Sequence, residues 1–171
     1  MPEIALADSM AACRVLILVE GVEHALNLAN FLPSWPVIVG DGVIQYGLDS
    51  NQLRLLAERQ AMRVTTGRVI ATLAGLERPG ALDLNTVDVL VWAGAGKHIP
   101  PLPAKMLISS QAQARGLLLV DFQDRHHPKL RRWSRLRREA CLDAGWIGPG
   151  SDPVQARIGR FLARLAGRRA R

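Results

Sequence analysis

Five short apolar runs constrain this chain more than any other feature: Val15-Leu-Ile-Leu-Val19, Val37-Ile-Val39, Val69–Leu73, Val87–Trp92 and Leu117–Val120. A strand wetted on one face alternates apolar and polar residues, whereas an unbroken apolar run is dry on both faces, as in a parallel sheet covered by helices. The segments between the runs are long enough for crossovers. Val22–Leu32 places Val22, Ala25, Leu26, Ala29 and Leu32 at three- and four-residue spacing, the pattern of an amphipathic helix. Asp49 or Ser50 is placed to cap a second helix through about Ala61, with Leu53, Leu56, Ala57 and Gln60 on one face. Val43–Tyr46 has the length of a short strand, Gly75–Leu82 the glycines and proline of a loop, and Ala104–Ala114 the character of a helix. Pro128 suits the first position of a long helix running towards Gly145, and Ser151 or Asp152 caps a last one. The alternation predicts an α/β domain: a mainly parallel sheet flanked by helices in three layers, with a basic helical extension at its C-terminal end. Loops following the strands form the expected working edge, as in other open parallel sheets.

Charge is distributed unevenly along this pattern. Residues 1–114 hold 8 Lys and Arg against 10 Asp and Glu, a net of −2, while residues 115–171 hold 14 against 5, a net of +9. Together they give the chain +7. A near-neutral body with a basic C-terminal third predicts a polyanionic partner, nucleic acid first. With 49% of residues apolar, the chain is no disordered or collagen-like polymer. No apolar run approaches the roughly 18–20 residues of a membrane span, and Met1–Ala12 lacks the basic and apolar regions of a signal peptide. Cys13 and Cys141 make neither a disulfide scaffold nor a zinc framework. These features predict a cytoplasmic protein without a membrane partner.

The chemistry-bearing motifs are few. Gly94-Ala-Gly96-Lys97 has the glycines of a phosphate loop, but His98 stands where a Ser or Thr would ligate magnesium, so the segment reads as a strand-to-loop bend. Asp121-Phe-Gln-Asp124-Arg-His-His127 is the densest polar cluster. Adjacent histidines seldom converge on one ion, and no second cluster completes a shell, so Arg125, His126 and His127 are read as anion contacts at the start of a helix. No Gly-x-Ser-x-Gly is present, and neither cysteine has a local histidine, which removes nucleophilic hydrolysis. In the Lys129–Ala144 helix, Leu130, Trp133, Leu136, Ala140, Cys141 and Ala144 form an apolar stripe. Lys129, Arg131, Arg132, Arg135, Arg137 and Arg138 occupy most of the remainder, facing Glu139 and Asp143 as the acids. Pairs four residues apart cannot balance that excess, so the surface should attract phosphates. The alternative is a solvated outer face.

Several segments in order resemble the second RecA-like domain of superfamily 2 helicases. Val15–Leu32 resembles the strand and helix of motif IV, Tyr46-Gly47-Leu48 with the following helix resembles the "HG…R" region, and Ile70-Ala71-Thr72 with Leu82-Asp83-Leu84 and Val87–Val91 resembles motif V and its strand. The resemblance implies that Thr72 touches the nucleic-acid backbone and Asp83 faces a nucleotide. Lys97, in the loop after the next strand, joins the expected nucleic-acid contacts. The Gln-x-x-Gly-Arg-x-x-Arg motif is missing, Gln111 to Arg115 being at best a remnant, and so are Walker A and the Asp-Glu-x-x box. The resemblance therefore implies a RecA-like domain over 13–125 and an extension over 126–171. Such a chain binds DNA or RNA, holds no cofactor and hydrolyses no ATP alone, and uses ATP and magnesium only beside a separate ATPase domain or subunit. Leu18-Val19-Glu20-Gly21 with His24-Ala25-Leu26 also resembles the opening of a toprim domain, which would need Asp121 with Asp124, or Asp83 or Asp88, to hold magnesium beside Glu20. A non-catalytic module whose basic helices dock an acidic protein is the remaining reading.

Overall fold

The computed structural model describes residues 13–40, 47–64, 67–98, 106, 117–123 and 126–145. The expected strand at Val43–Tyr46, most of the Ala104–Ala114 helix, Arg125 and the helix from Ser151 lie outside them. Five strands form one all-parallel sheet: β1 (Val15–Val19), β2 (Val37–Ile38), β3 (Arg68–Thr72), β4 (Val89–Trp92) and β5 (Leu118–Asp121), in the spatial order β2-β3-β1-β4-β5. The α/β class read from the five runs is the class observed. β1 is central, aligning Val19 with Thr72 of β3 and Leu18 with Trp92 of β4, while Trp92 aligns in turn with Asp121 of β5. Two connections skip a neighbour, β1 to β2 across β3 and β3 to β4 across β1.

Burial on both faces explains the apolar runs of the inner strands. Val19 and Ile70 face one core cluster, built against α1 (Val22–Phe31) and α2 (Ser50–Ala61). Leu16, Leu18, Val69, Ala71, Leu90 and Trp92 face the other, which Val87 and Met106 complete. α1 buries Val22, Ala25, Leu26 and Ala29, as its spacing predicts. α2 starts at a capping box: the Asp49 carboxylate accepts from Asn51 and Gln52 N–H at 2.8 Å, and Gln52 Oε1 accepts from Asp49 N–H. Its packing differs from expectation. Leu56 is buried with Leu55 packed beside it, while Leu53 is 40% exposed and Ala57 faces solvent. A helix resting across a sheet edge needs only a narrow contact stripe, so the wider periodic face drawn from the sequence is not used.

The segment expected to be a loop after β3 begins instead with a helical turn, α3 (Leu73–Leu76), and a 3-10 turn follows at Leu84–Thr86. α3 is pressed onto the end of β2. A methyl group at Gly75 would lie 2.5 Å from the Ile38 carbonyl oxygen, and one at Gly40 2.8 Å from Ala74 Cβ. Gly75→Ala should therefore destabilise the fold by about 1–3 kcal/mol through overpacking, read as a lower urea midpoint; an unchanged midpoint would mean that α3 does not sit so tightly. Among the described residues no helix is long and apolar enough to cross a membrane.

Candidate nucleic-acid interface

The last described helix, α4 (Pro128–Asp143), meets the sheet at the C-terminal ends of its strands. His127 caps it, Nδ1 accepting from Lys129 N–H at 3.3 Å, and Pro128 fills the first turn. Its buried residues are Ser134, Arg137 and Cys141. Ala140 and Ala144, expected in the apolar stripe, are exposed, and Leu130, Trp133 and Leu136 are half-buried. The helix is thus rotated from the orientation that apolar spacing alone predicts, because its principal anchor is polar.

That anchor is Arg137. Only 3% exposed, it donates from Nε and Nη2 to the two carboxylate oxygens of Asp121, at 2.9 and 3.0 Å. Nη2 also donates to the Phe122 carbonyl at 3.3 Å, and Nη1 to the Gly96 carbonyl. Ser134 Oγ reaches the Leu130 and Phe122 carbonyls at 3.0 and 3.4 Å. One guanidinium fork thus holds the end of β5, the loop after β4 and α4 together. The loop is fixed from its other side by Glu20, whose Oε1 accepts from Gly96 N–H at 3.2 Å. Arg137 was expected among the phosphate contacts; it is instead the bolt that sets α4 on this edge.

No family model, curated protein or solved structure matches the chain.

The other cations of α4 are turned outward. Lys129, Arg131, Arg132, Arg135 and Arg138 are exposed. Arg131, Arg135 and Arg138 stand at i, i+4 and i+7 and form one stripe, with Arg132 alongside, three residues before Arg135. Arg135 approaches Glu139 at 3.7 Å, a pair with both side chains more than half exposed. Such a pair offsets little of the positive potential. Lys129 Nζ lies 4.6 Å from the centre of the Trp133 ring, which keeps that cation at the start of the helix. His126 and His127 are exposed at the same end.

The remaining expected residues do not join this face. Thr72 is 3% exposed, and its Oγ1 accepts from Gly75 N–H at 3.1 Å, capping α3. Asp83 caps the 3-10 turn by accepting from Asn85 N–H at 3.0 Å. Its neighbours Leu82 and Thr86 line a small cavity with Arg14, Val15 and Gly67 at the N-terminal ends of β1 and β3, the edge opposite to Glu20. Asp83 and Thr72 are therefore at opposite ends of the sheet, separated by the longer connection that α3 and the 3-10 turn occupy. Lys97 is exposed in the loop that Glu20 and Arg137 hold. That loop's first glycine answers to packing and not to phosphate, because a Cβ on Gly94 would overlap the Trp92 indole.

Among the described residues no second carboxylate stands free beside Glu20 for a magnesium site of the toprim kind, and Asp124 lies outside them. Glu20 follows β1 and Asp121 ends β5, with β4 between the two strands, so the strands are about 10 Å apart. Both oxygens of Asp121 are committed to Arg137. Asp88, another candidate partner, accepts from Arg14 N–H at 2.9 Å, just before β1. Among the described residues no three His, Cys, Asp or Glu side chains converge on one point.

Cys141 lies in the buried seam of α4. Burial pushes its thiol above the ordinary value, the Asp121 charge pushes the same way, and Arg137 opposes them. The folded protein thus holds the proton where the unfolded chain releases it. Stability from this group is fully present below the ordinary thiol value and falls as pH rises above about 8.5, by up to about 1.4 kcal/mol per pH unit. Urea titrations from neutral to alkaline pH should show that decline, and Cys141→Ala should flatten it. An equal decline in the variant would place the dependence on another group.

Proposed function

We propose that this chain is a nucleic-acid-binding domain of the helicase C-terminal kind, gripping backbone phosphates and inactive as an ATPase by itself. The observation that carries this reading is the single outward stripe of Arg131, Arg135 and Arg138, with Arg132 beside it, on a helix bolted to the C-terminal edge of a parallel sheet. Loose solubilising charge needs neither a common face nor a buried polar anchor. A phosphate-binding surface benefits from both, because a fixed helix presents its cations without further ordering. The segments that carry the resemblance, the Ile70-Ala71-Thr72 strand and the Val89–Trp92 strand, lie on either side of the Val15–Val19 strand in one parallel sheet.

In this reading ATP and magnesium belong to a separate ATPase domain or subunit, in the cytoplasm. The buried position of Thr72 and the remote position of Asp83 move the grip from motif V to the basic helix. Fluorescence anisotropy with labelled DNA and RNA, single- and double-stranded, tests this against an acidic peptide competitor at fixed salt. Binding should register at about 50–100 mM salt and weaken steeply as salt rises. Preference for the acidic peptide, or no binding to any nucleic acid in that range, would replace this reading with a protein-docking module.

A further inference from the structure

Phe122 follows β5 at the same edge of the sheet, and its ring is open to solvent, with 58% of the residue exposed. Its backbone is not loose. The Phe122 carbonyl accepts from Ser134 Oγ at 3.4 Å and Arg137 Nη2 at 3.3 Å, and the preceding Asp121 side chain is gripped at 2.9 and 3.0 Å. Ser134, where this carbonyl docks, has Arg131 three residues before it and Arg138 four residues after it, both exposed. On a helix those are its neighbours on the outward side. The Phe122 backbone is thus fixed against the turns of α4 that carry two exposed guanidinium groups. Among the described residues the other exposed large apolar side chains, Phe31, Leu53 and Val64, lie on or after α1 and α2.

A ring held open in this way leaves water when an apolar surface covers it, and a flat surface covers a ring most fully. Exposed arginines on the helix turns that hold its backbone favour a flat group attached to phosphates. In a duplex the faces of the bases are already stacked on each other; in a single strand they are free. The geometry points to a base-stacking site for single-stranded nucleic acid, in which the Phe122 ring receives one unpaired nucleobase and Arg131 and Arg138 hold the flanking phosphates. This rests on the nucleic-acid reading and assigns it a strand form.

The test uses the full chain with four labelled probes: oligo(dT) and oligo(U) as two sources of the same chemistry, a hairpin duplex, and an abasic strand that keeps the phosphates. Phe122→Ala should weaken binding of the oligo(dT) or oligo(U) strand by about 5- to 100-fold. Duplex and abasic binding should stay at wild-type strength, and Phe122→Trp should restore the single-strand affinity. Arg131→Gln with Arg138→Gln should weaken every probe. Unchanged single-strand binding by Phe122→Ala, with the arginine variant still weakened, overturns the stacking site and leaves the nucleic-acid reading standing. An equal loss on the abasic strand also overturns it, since no base is there to stack. Failure of the wild-type chain to bind any probe overturns both.

Discussion

Arg137→Ala should lower the free energy of unfolding by about 3 kcal/mol, the largest effect expected of any arginine in α4. The substitution leaves the Asp121 carboxylate, 23% exposed, without its bidentate partner. It also removes the donors to the Phe122 and Gly96 carbonyls, so the anchor between α4 and the sheet edge goes with the charge. Arg137→Lys should recover only part of the loss, because one ammonium cannot span both carboxylate oxygens and two carbonyls at once. Asp121→Asn should also destabilise, by stranding the buried guanidinium. The double variant should be less unstable than the two separate losses added together, since each removes the same interaction. Urea unfolding followed by circular dichroism measures all four. A change within about 0.5 kcal/mol for Arg137→Ala would place Arg137 on the surface and undo the account of how α4 is held.

Replacing Arg131, Arg132, Arg135 and Arg138 together with Gln should act in the opposite sense, on binding and hardly on folding. All four are exposed, and the ion pair lost among the described residues, Arg135 with Glu139, is an open surface pair. The unfolding free energy should stay within about 1 kcal/mol. Affinity for nucleic acid should fall by at least about a hundredfold at moderate salt, since hydrogen bonds to charged groups contribute about 1.5–3 kcal/mol each. The slope of log affinity against log salt should flatten by about 3, at roughly 0.7–0.9 per phosphate released. Affinity and slope both equal to wild type would show that the stripe is only a solvated face. Arg137 and Arg138 are adjacent in sequence, so the contrast between these two experiments tests position and not composition.

The strands were legible because a run such as Val15–Val19 has one economical fate, burial on both faces of a parallel sheet, and the observed strands fall within a residue or two of those runs. α1 was legible for the same reason, its periodic residues matching one face. The turns after β3 were less so. Gly75 reads as a loop residue, yet its role is to let a helical turn approach the Ile38 carbonyl, a contact between segments 37 residues apart in sequence. α4 was legible as a helix and as a cationic one, whereas its rotation was not. Apolar spacing weights Ala140 and Ala144 towards the inside and every arginine towards the outside. No periodicity signals that an aspartate 16 residues earlier will draw one arginine inward.

The sequence by itself determined the layered α/β class, the start and polarity of α4, and the excess of cations along it, since each depends on residues close together in the chain. Tertiary structure decided which of those cations faces outward, that Thr72 is a buried cap, that Asp83 stands at the opposite edge, and that Phe122 is exposed on a backbone held by Ser134 and Arg137. A guanidinium is stable in water or against a carboxylate with carbonyls around it, and only the folded chain brings Asp121, Gly96 and Phe122 to Arg137.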